Sequence, residues 1–148
     1  MSIESILDYV AVRSAASITG LKAAYSTAAS SEGATGIPRS IEDGPVAFVL
    51  PGDGDAEPGN WEQELHTFEV EVWVPAADMA TAYRAIIPFA GRFKTQFRTD
   101  IDNNTTAVRV LYRGYRKPFY DDTAGKPFLV MSIQMEALEI RASDDYTT

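Results

Sequence analysis

The stretch Leu65 to Pro75, LHTFEVEVWVP, constrains this chain most. Phe68, Val70, Val72 and Val74 alternate with Thr67, Glu69, Glu71 and Trp73. On a helix this order would scatter the two glutamates around the cylinder. On a strand, successive side chains point to opposite faces, so one face is apolar and the other carries the charges. The chain must therefore build a sheet and cover its apolar face.

The remaining segments supply the partners. PVAFVLP, residues 45–51, is a compact apolar run between turn residues and reads as a second strand. It flanks a short acidic connection to the first strand, so the two are expected to pair antiparallel with an extended tip. TTAVRVLYRGY places Val108, Val110 and Tyr112 opposite Arg109 and Arg113. KPFLVMSIQMEALEI places Leu129, Met131, Ile133 and Met135 opposite Ser132, Gln134 and Glu136. YDDTAGKP between them has hairpin-turn chemistry. Leu21 to Tyr25 reads as a further short strand.

Two helices are expected. After Ser2, a residue suited to capping, Ile3, Ile6, Leu7 and Val10 recur at helical spacing, and Gly20 is a plausible stop. From Ala77 to Arg98, Met79, Tyr83, Ile86, Ala90, Phe93 and Phe97 form one apolar stripe. Asp78 near its start and Arg92, Lys94 and Arg98 near its end suit the helix dipole. Pro88 inside the pattern is expected to kink or divide this helix. The fold class that follows is α+β: a two-layer domain with a mainly antiparallel β-sheet and two helices packed on one face. The 148 residues suit one domain spanning 1–148, with a long mobile loop at 26–44 and a frayed tail at 141–148.

Charge is unevenly spread. The formal net charge is -8. Residues 40–83 hold ten Asp/Glu and no Lys/Arg, whereas residues 84–117 hold eight Lys/Arg and two Asp. Such blocks serve as solvated faces, or they give one molecule an acidic and a basic surface able to dock head-to-tail. Simple nucleic-acid binding is disfavoured, because phosphates repel so acidic a chain. No apolar run reaches the roughly 20 residues of a membrane helix, and MSIESILDYV lacks the pattern of a signal peptide. There are no cysteines, which excludes disulfides, thiolate metal sites and cysteine nucleophiles.

The acidic block centres on PGDGDAEPGNWEQE, residues 51–64. Asp53, Asp55, Glu57 and Glu64 fall at the first, third, fifth and twelfth positions of a calcium loop. The sixth position is Pro58 where that loop requires glycine, and no helices flank the stretch, so a solvated acidic loop is the simpler reading. Glu62, Glu64, Glu69 and Glu71 offer paired carboxylates for acid–base work, but no apolar pocket is foreseen around them. His66 is the only histidine, and no triad or zinc site can be assembled around it. YRGYRKPFY, residues 112–120 and including Arg116, suits stacking on bases or ordinary strand packing. No catalytic residue, metal or cofactor is assigned, and an interaction protein is expected rather than an enzyme. The face bearing Glu69, Glu71, Trp73, Arg109 and Arg113 is expected to meet a partner.

The succession GPVAFVLPGDGD, NWEQELHTFEVEVWV, ADMATAYRAIIPFAGRFKTQF, VRVLYRGYR and GKPFLVMSIQMEALEI resembles the tail terminator proteins of long-tailed phages, over residues 3–140. The hairpin with its acidic, glycine-rich tip, the H-T-F-x-V-x-V-x-V strand and the L/I-x-P-F-x-x-R-F helix carry the likeness. The resemblance implies a homo-oligomeric ring, usually a hexamer, at the head-proximal end of the virion tail and assembled in the host cytoplasm. Such a ring caps the tail tube, stops polymerisation of the major tail tube protein and offers a joining surface to the head–tail connector. DNA would pass through its lumen without specific binding. Asp53, Asp55, Glu57, Glu62, Glu64, Glu69, Glu71, Trp73, Arg109, Arg113 and Arg116 are the candidates for subunit interface or lumen. A connector or neck protein of related fold, and a non-viral ligand- or calcium-binding α+β domain, are the alternatives.

Overall fold

A computed structural model describes residues 3–27, 44–52, 63–98, 108–123 and 125–140. Its elements are α1 (Ile3–Ser17), β1 (Ala23–Ser26), β2 (Val46–Pro51), β3 (Gln63–Pro75), α2 (Met79–Arg98), β4 (Val108–Tyr115), β5 (Phe119–Asp121) and β6 (Phe128–Ile140). The strands form one mixed sheet in the order β1-β2-β3-β6-β4, with β5 also paired to β6. This is the α+β arrangement expected, with helices on a mainly antiparallel sheet. The alternating stretch is its centre: β3 pairs with β6 from Gln63↔Ile140 to Pro75↔Phe128, and with β2 from Val46↔Trp73 to Pro51↔Phe68. Ser2, most of the 26–44 loop and the 141–148 tail lie outside the described residues.

Both helices lie against the same sheet face. α1 packs on β1 and β2, and α2 packs on β4, β6 and β3. Phe68, Val70, Val72 and Val74 of β3 meet Leu129, Met131, Ile133 and Met135 of β6 in one buried layer under them. Fully burying an aliphatic or aromatic side chain of this size contributes about 1.5–3 kcal/mol. The largest contributors from α2 are Phe89, Phe93 and Phe97, and the last two stack with centroids 5.9 Å apart.

Several details differ from the sequence reading. The buried stripe of α2 is Ala82, Ile86, Phe89, Phe93 and Phe97. Met79 and Tyr83, expected to lead that stripe, are exposed. The helix is not divided at Pro88, which sits at an exposed position within one uninterrupted element. Pro88 has no N–H to give the Arg84 carbonyl, and on this exposed side of the helix water can serve that carbonyl instead, which lowers the cost of a helical proline. β1 begins two residues later than expected and runs parallel to β2 (Ala23↔Val46).

α1 ends at Ser17, and the turn that follows it passes through Gly20, whose φ of 90° is the left-handed conformation that favours glycine. Arg92 of α2 donates from Nη1 to the Thr19 carbonyl at 3.0 Å and lies 4.9 Å from the centre of the Phe89 ring. One side chain thus ties the end of α1 to α2. α1 also buries an acid: Asp8 is 1% exposed and accepts a 2.5 Å hydrogen bond from Ser26 Oγ of β1.

Candidate functional site

The face of the sheet away from the helices divides into an aromatic half and a polar half. Register decides the division. Trp73 lies between Val46 and Val130, with Phe48 and Phe128 one step along the neighbouring strands. Its indole meets Phe48 edge-on at 5.7 Å and Phe128 at 5.5 Å, while Phe48 stacks on Tyr25 at 5.4 Å. Trp73 is half-buried as the centre of a packed aromatic row.

The polar half begins at Glu71. Trp73 Nε1 donates to Glu71 Oε1 at 3.2 Å. Burial raises the pKa of Glu71, the Trp73 hydrogen bond opposes that shift, and the negative charges of Glu69 and Asp121 add to it. Glu69 accepts hydrogen bonds from Ser132 Oγ at 2.8 Å and Gln134 Nε2 at 3.3 Å, and Gln134 also donates to Ser132 at 2.7 Å. Beyond Gln134, Arg113 Nε lies 3.5 Å from Glu136 Oε1. Glu69, Gln134, Glu136 and Arg113, together with Thr67 and Arg116, border an open cleft of about 520 Å³. Both signs of charge and several amide and hydroxyl groups meet there, an arrangement suited to polar contacts with another macromolecule.

The structure thus brings Glu69, Glu71, Trp73, Arg113 and Arg116 onto or beside one surface. Glu64 and Arg109 are in the ladders opposite Glu139 and Leu138 of β6. Asp53, Asp55, Glu57 and Glu62 lie outside the described residues. Among the described residues, no group of three or more His, Cys, Asp or Glu is placed to hold a metal ion, and no helix is long and apolar enough to cross a membrane.

A second surface escaped the sequence reading. Among the described residues, seven large apolar side chains are exposed, and six of them, Met79, Tyr83, Ile87, Tyr115, Phe119 and Tyr120, belong to α2 or the β4–β5 edge. Ile87 and Tyr115 are each 59% exposed. Between α2 and this edge runs a groove of about 410 Å³, walled by Tyr83, Ile87, Tyr115 and Pro118, with buried Met131 lining it and Lys117 beside it. The edge takes this form because of two irregularities. A bulge puts Arg113 out of the β4–β6 register between Tyr112↔Met135 and Gly114↔Gln134, and Gly114 there has φ 144°. Tyr115 is thereby paired with Ile133, on the helix-covered face. Lys117 and Pro118 then interrupt the pairing before Phe119↔Val130 resumes it. Ile87 beside buried Ile86 was the available signal, since one apolar stripe cannot accommodate both.

No protein-family model matches this chain, and no curated protein matches it. Among solved structures, one chain aligned over its full length covers 96% of this chain with a TM-score of 0.49 and 15% sequence identity. A likeness of that size carries no argument about function.

Proposed function

We propose that this chain is a structural, non-enzymatic subunit of the phage tail terminator kind. Identical copies form a ring, usually a hexamer, which caps the tail tube at the head-proximal end. The ring stops polymerisation of the major tail tube protein and receives the head–tail connector. The observation that carries this reading is the division of charge between two successive blocks of the chain. The acidic block 40–83 falls on β2, β3 and their connection, and the basic block 84–117 falls on α2 and β4. In the order β1-β2-β3-β6-β4, β2 and β3 of the acidic block and β4 of the basic block lie on opposite sides of β6.

Copies carrying unlike blocks attract when the acidic block of one meets the basic block of the next, and repel when like blocks meet. Head-to-tail contacts of that kind generate closed rings when the rotation between copies permits closure. A net charge of -8 also disfavours adhesion of DNA to such an assembly, as free passage through a lumen requires.

The test is solution mass and electron microscopy of the purified protein, alone and mixed with polymerising major tail tube protein. The expected outcome is a ring-shaped oligomer, or a capped tube whose growth stops when this protein is added. A chain that stays monomeric alone and leaves tube growth unchanged would refute the proposal.

A further inference from the structure

We infer that residues 28–43 dock on the aromatic half of their own sheet, which closes that half within the subunit and leaves the polar half open to partners. The inference goes beyond the assembly reading above and does not depend on it. On the face away from the helices, Val46, Phe48, Phe128 and Val130 are at most 5% exposed. Yet among the described residues neither helix and no strand lies over them. Neighbouring side chains in one layer shield chiefly each other's flanks. An apolar sheet face is buried by a further segment packed on it.

Connectivity selects the occupant. β1 and β2 are parallel neighbours, so residues 28–43 must return from the end of one to the start of the other over a face of the sheet. Ala47 and Val49 of β2 point toward the helices, and the Val49 carbonyl accepts from the Thr27 N–H on the β1 side. In a strand of L-residues running upward, the N–H and C=O of a residue lie to the right when its side chain faces the viewer. Seen from the helices, β1 is therefore to the right of β2. A return on that side would be left-handed, and α1 already packs there on both strands. A right-handed return, the hand of about 98% of such connections, crosses the opposite face, over Tyr25 and Phe48. Length is ample: residues 28–43 reach about 50 Å when extended, against about 13 Å along β1. Both ends are fixed beside this half. Thr27 Oγ1 donates to the Val49 carbonyl at 3.1 Å. Gly44 approaches β3 so closely that a Cβ there would lie 2.8 Å from Pro75 Cδ and 3.0 Å from the Trp73 carbonyl oxygen. Ile37, Pro38 and Ile41 are the bulky apolar residues of the segment and supply the groups to seat on the rings.

Two experiments on the full chain decide the matter, and neither depends on whether rings form. First, a photo-crosslinking amino acid at position 37 or 41 should join to peptides of β2, β3 or β6, in products that run as a single chain on denaturing gels. Joining to α1 would mean a return on the helix side and would overturn the inference. Joining to another copy, or no preferred product, would overturn it too. Second, Trp61→Phe leaves Trp73 as the single tryptophan. Adding Ile37→Ser and Ile41→Ser should then shift Trp73 emission to the red and raise its quenching by acrylamide about twofold, because a partly exposed indole loses its cover. Unchanged emission and quenching, in a variant that still unfolds cooperatively, would sink the assignment. Should that variant fail to fold, crosslinking in the otherwise wild-type chain decides alone.

Discussion

Ile86 and Ile87 are adjacent, identical in chemistry and opposite in environment, and the contrast makes a stringent experiment. Ile86 is 0% exposed beneath α2, whereas Ile87 is 59% exposed on its outer flank. Ile86→Ala removes three buried carbons. At about 0.8 kcal/mol each the transfer loss is about 2.5 kcal/mol, and a residual cavity raises the cost to about 3–4 kcal/mol. Ile87→Ala removes the same atoms, but less than half of their surface is shielded, so the loss is about 1 kcal/mol. Alanine's better helix propensity returns about 0.4 kcal/mol of it. The expected difference between the variants is therefore about 2.5 kcal/mol. For a chain of this size that corresponds to roughly 5–10 °C in melting temperature. Denaturant titration with matched slopes measures the difference directly. Equal stability costs would mean that α2 is rotated relative to the sheet, and the groove would lose one wall.

Three further outcomes follow from buried polar groups and one turn. Ser26→Ala removes a donor to buried Asp8 and should cost about 1–3 kcal/mol, whereas Ser14→Ala should stabilise by about 0.5–1 kcal/mol, because Ser14 Oγ is buried without a hydrogen-bond partner; urea midpoints of the two variants should move in opposite directions. Glu71 has a folded-state pKa above its ordinary 4.5, so ionising it opposes folding: the penalty is absent well below 4.5, grows as pH rises through that value, and is complete above the raised folded pKa. Glu71→Gln should therefore gain stability over wild type at neutral pH and lose that advantage in acid, measured by unfolding at both pH values. Gly20→Ala forces a left-handed backbone on alanine and sets its Cβ 2.9 Å from Arg92 Nη1, so it should lower stability by about 1 kcal/mol or more in thermal unfolding.

The parts legible in the sequence were those written in local periodicity. The alternation through Phe68 to Val74 identifies β3 and its buried face without knowledge of any other strand, and the phenylalanines of α2 identify a helix. What eluded reading depended on register between distant segments. Trp73 alternates onto the face away from the helices, yet its rings of contact, Phe48 and Phe128, lie 25 and 55 positions away and become neighbours only once the β2–β3 and β3–β6 registers are set. Asp8 looks like a solvated acid beside an apolar stripe until Ser26 of β1 is brought beneath it. The Tyr115 surface turns on a single bulged residue, Arg113, which reverses the alternation; Gly114 was the only local sign of it.

In the proposed assembly, charge decides which approaches between copies succeed. Net charge of -8 repels approaching copies in most orientations. In that assembly, only approaches that bring unlike charges together turn the repulsion into attraction. Salt acts on both contributions. Near physiological ionic strength charges beyond about 8 Å are screened, which weakens the steering and the repulsion together. Apolar contacts between copies persist, and sulfate-type salts strengthen them. Association governed by charge alone would decline steadily with salt. Association that also buries apolar surface should instead slow in onset as salt rises while the assembled form, once made, survives, so kinetics and final mass would respond to salt in different ways.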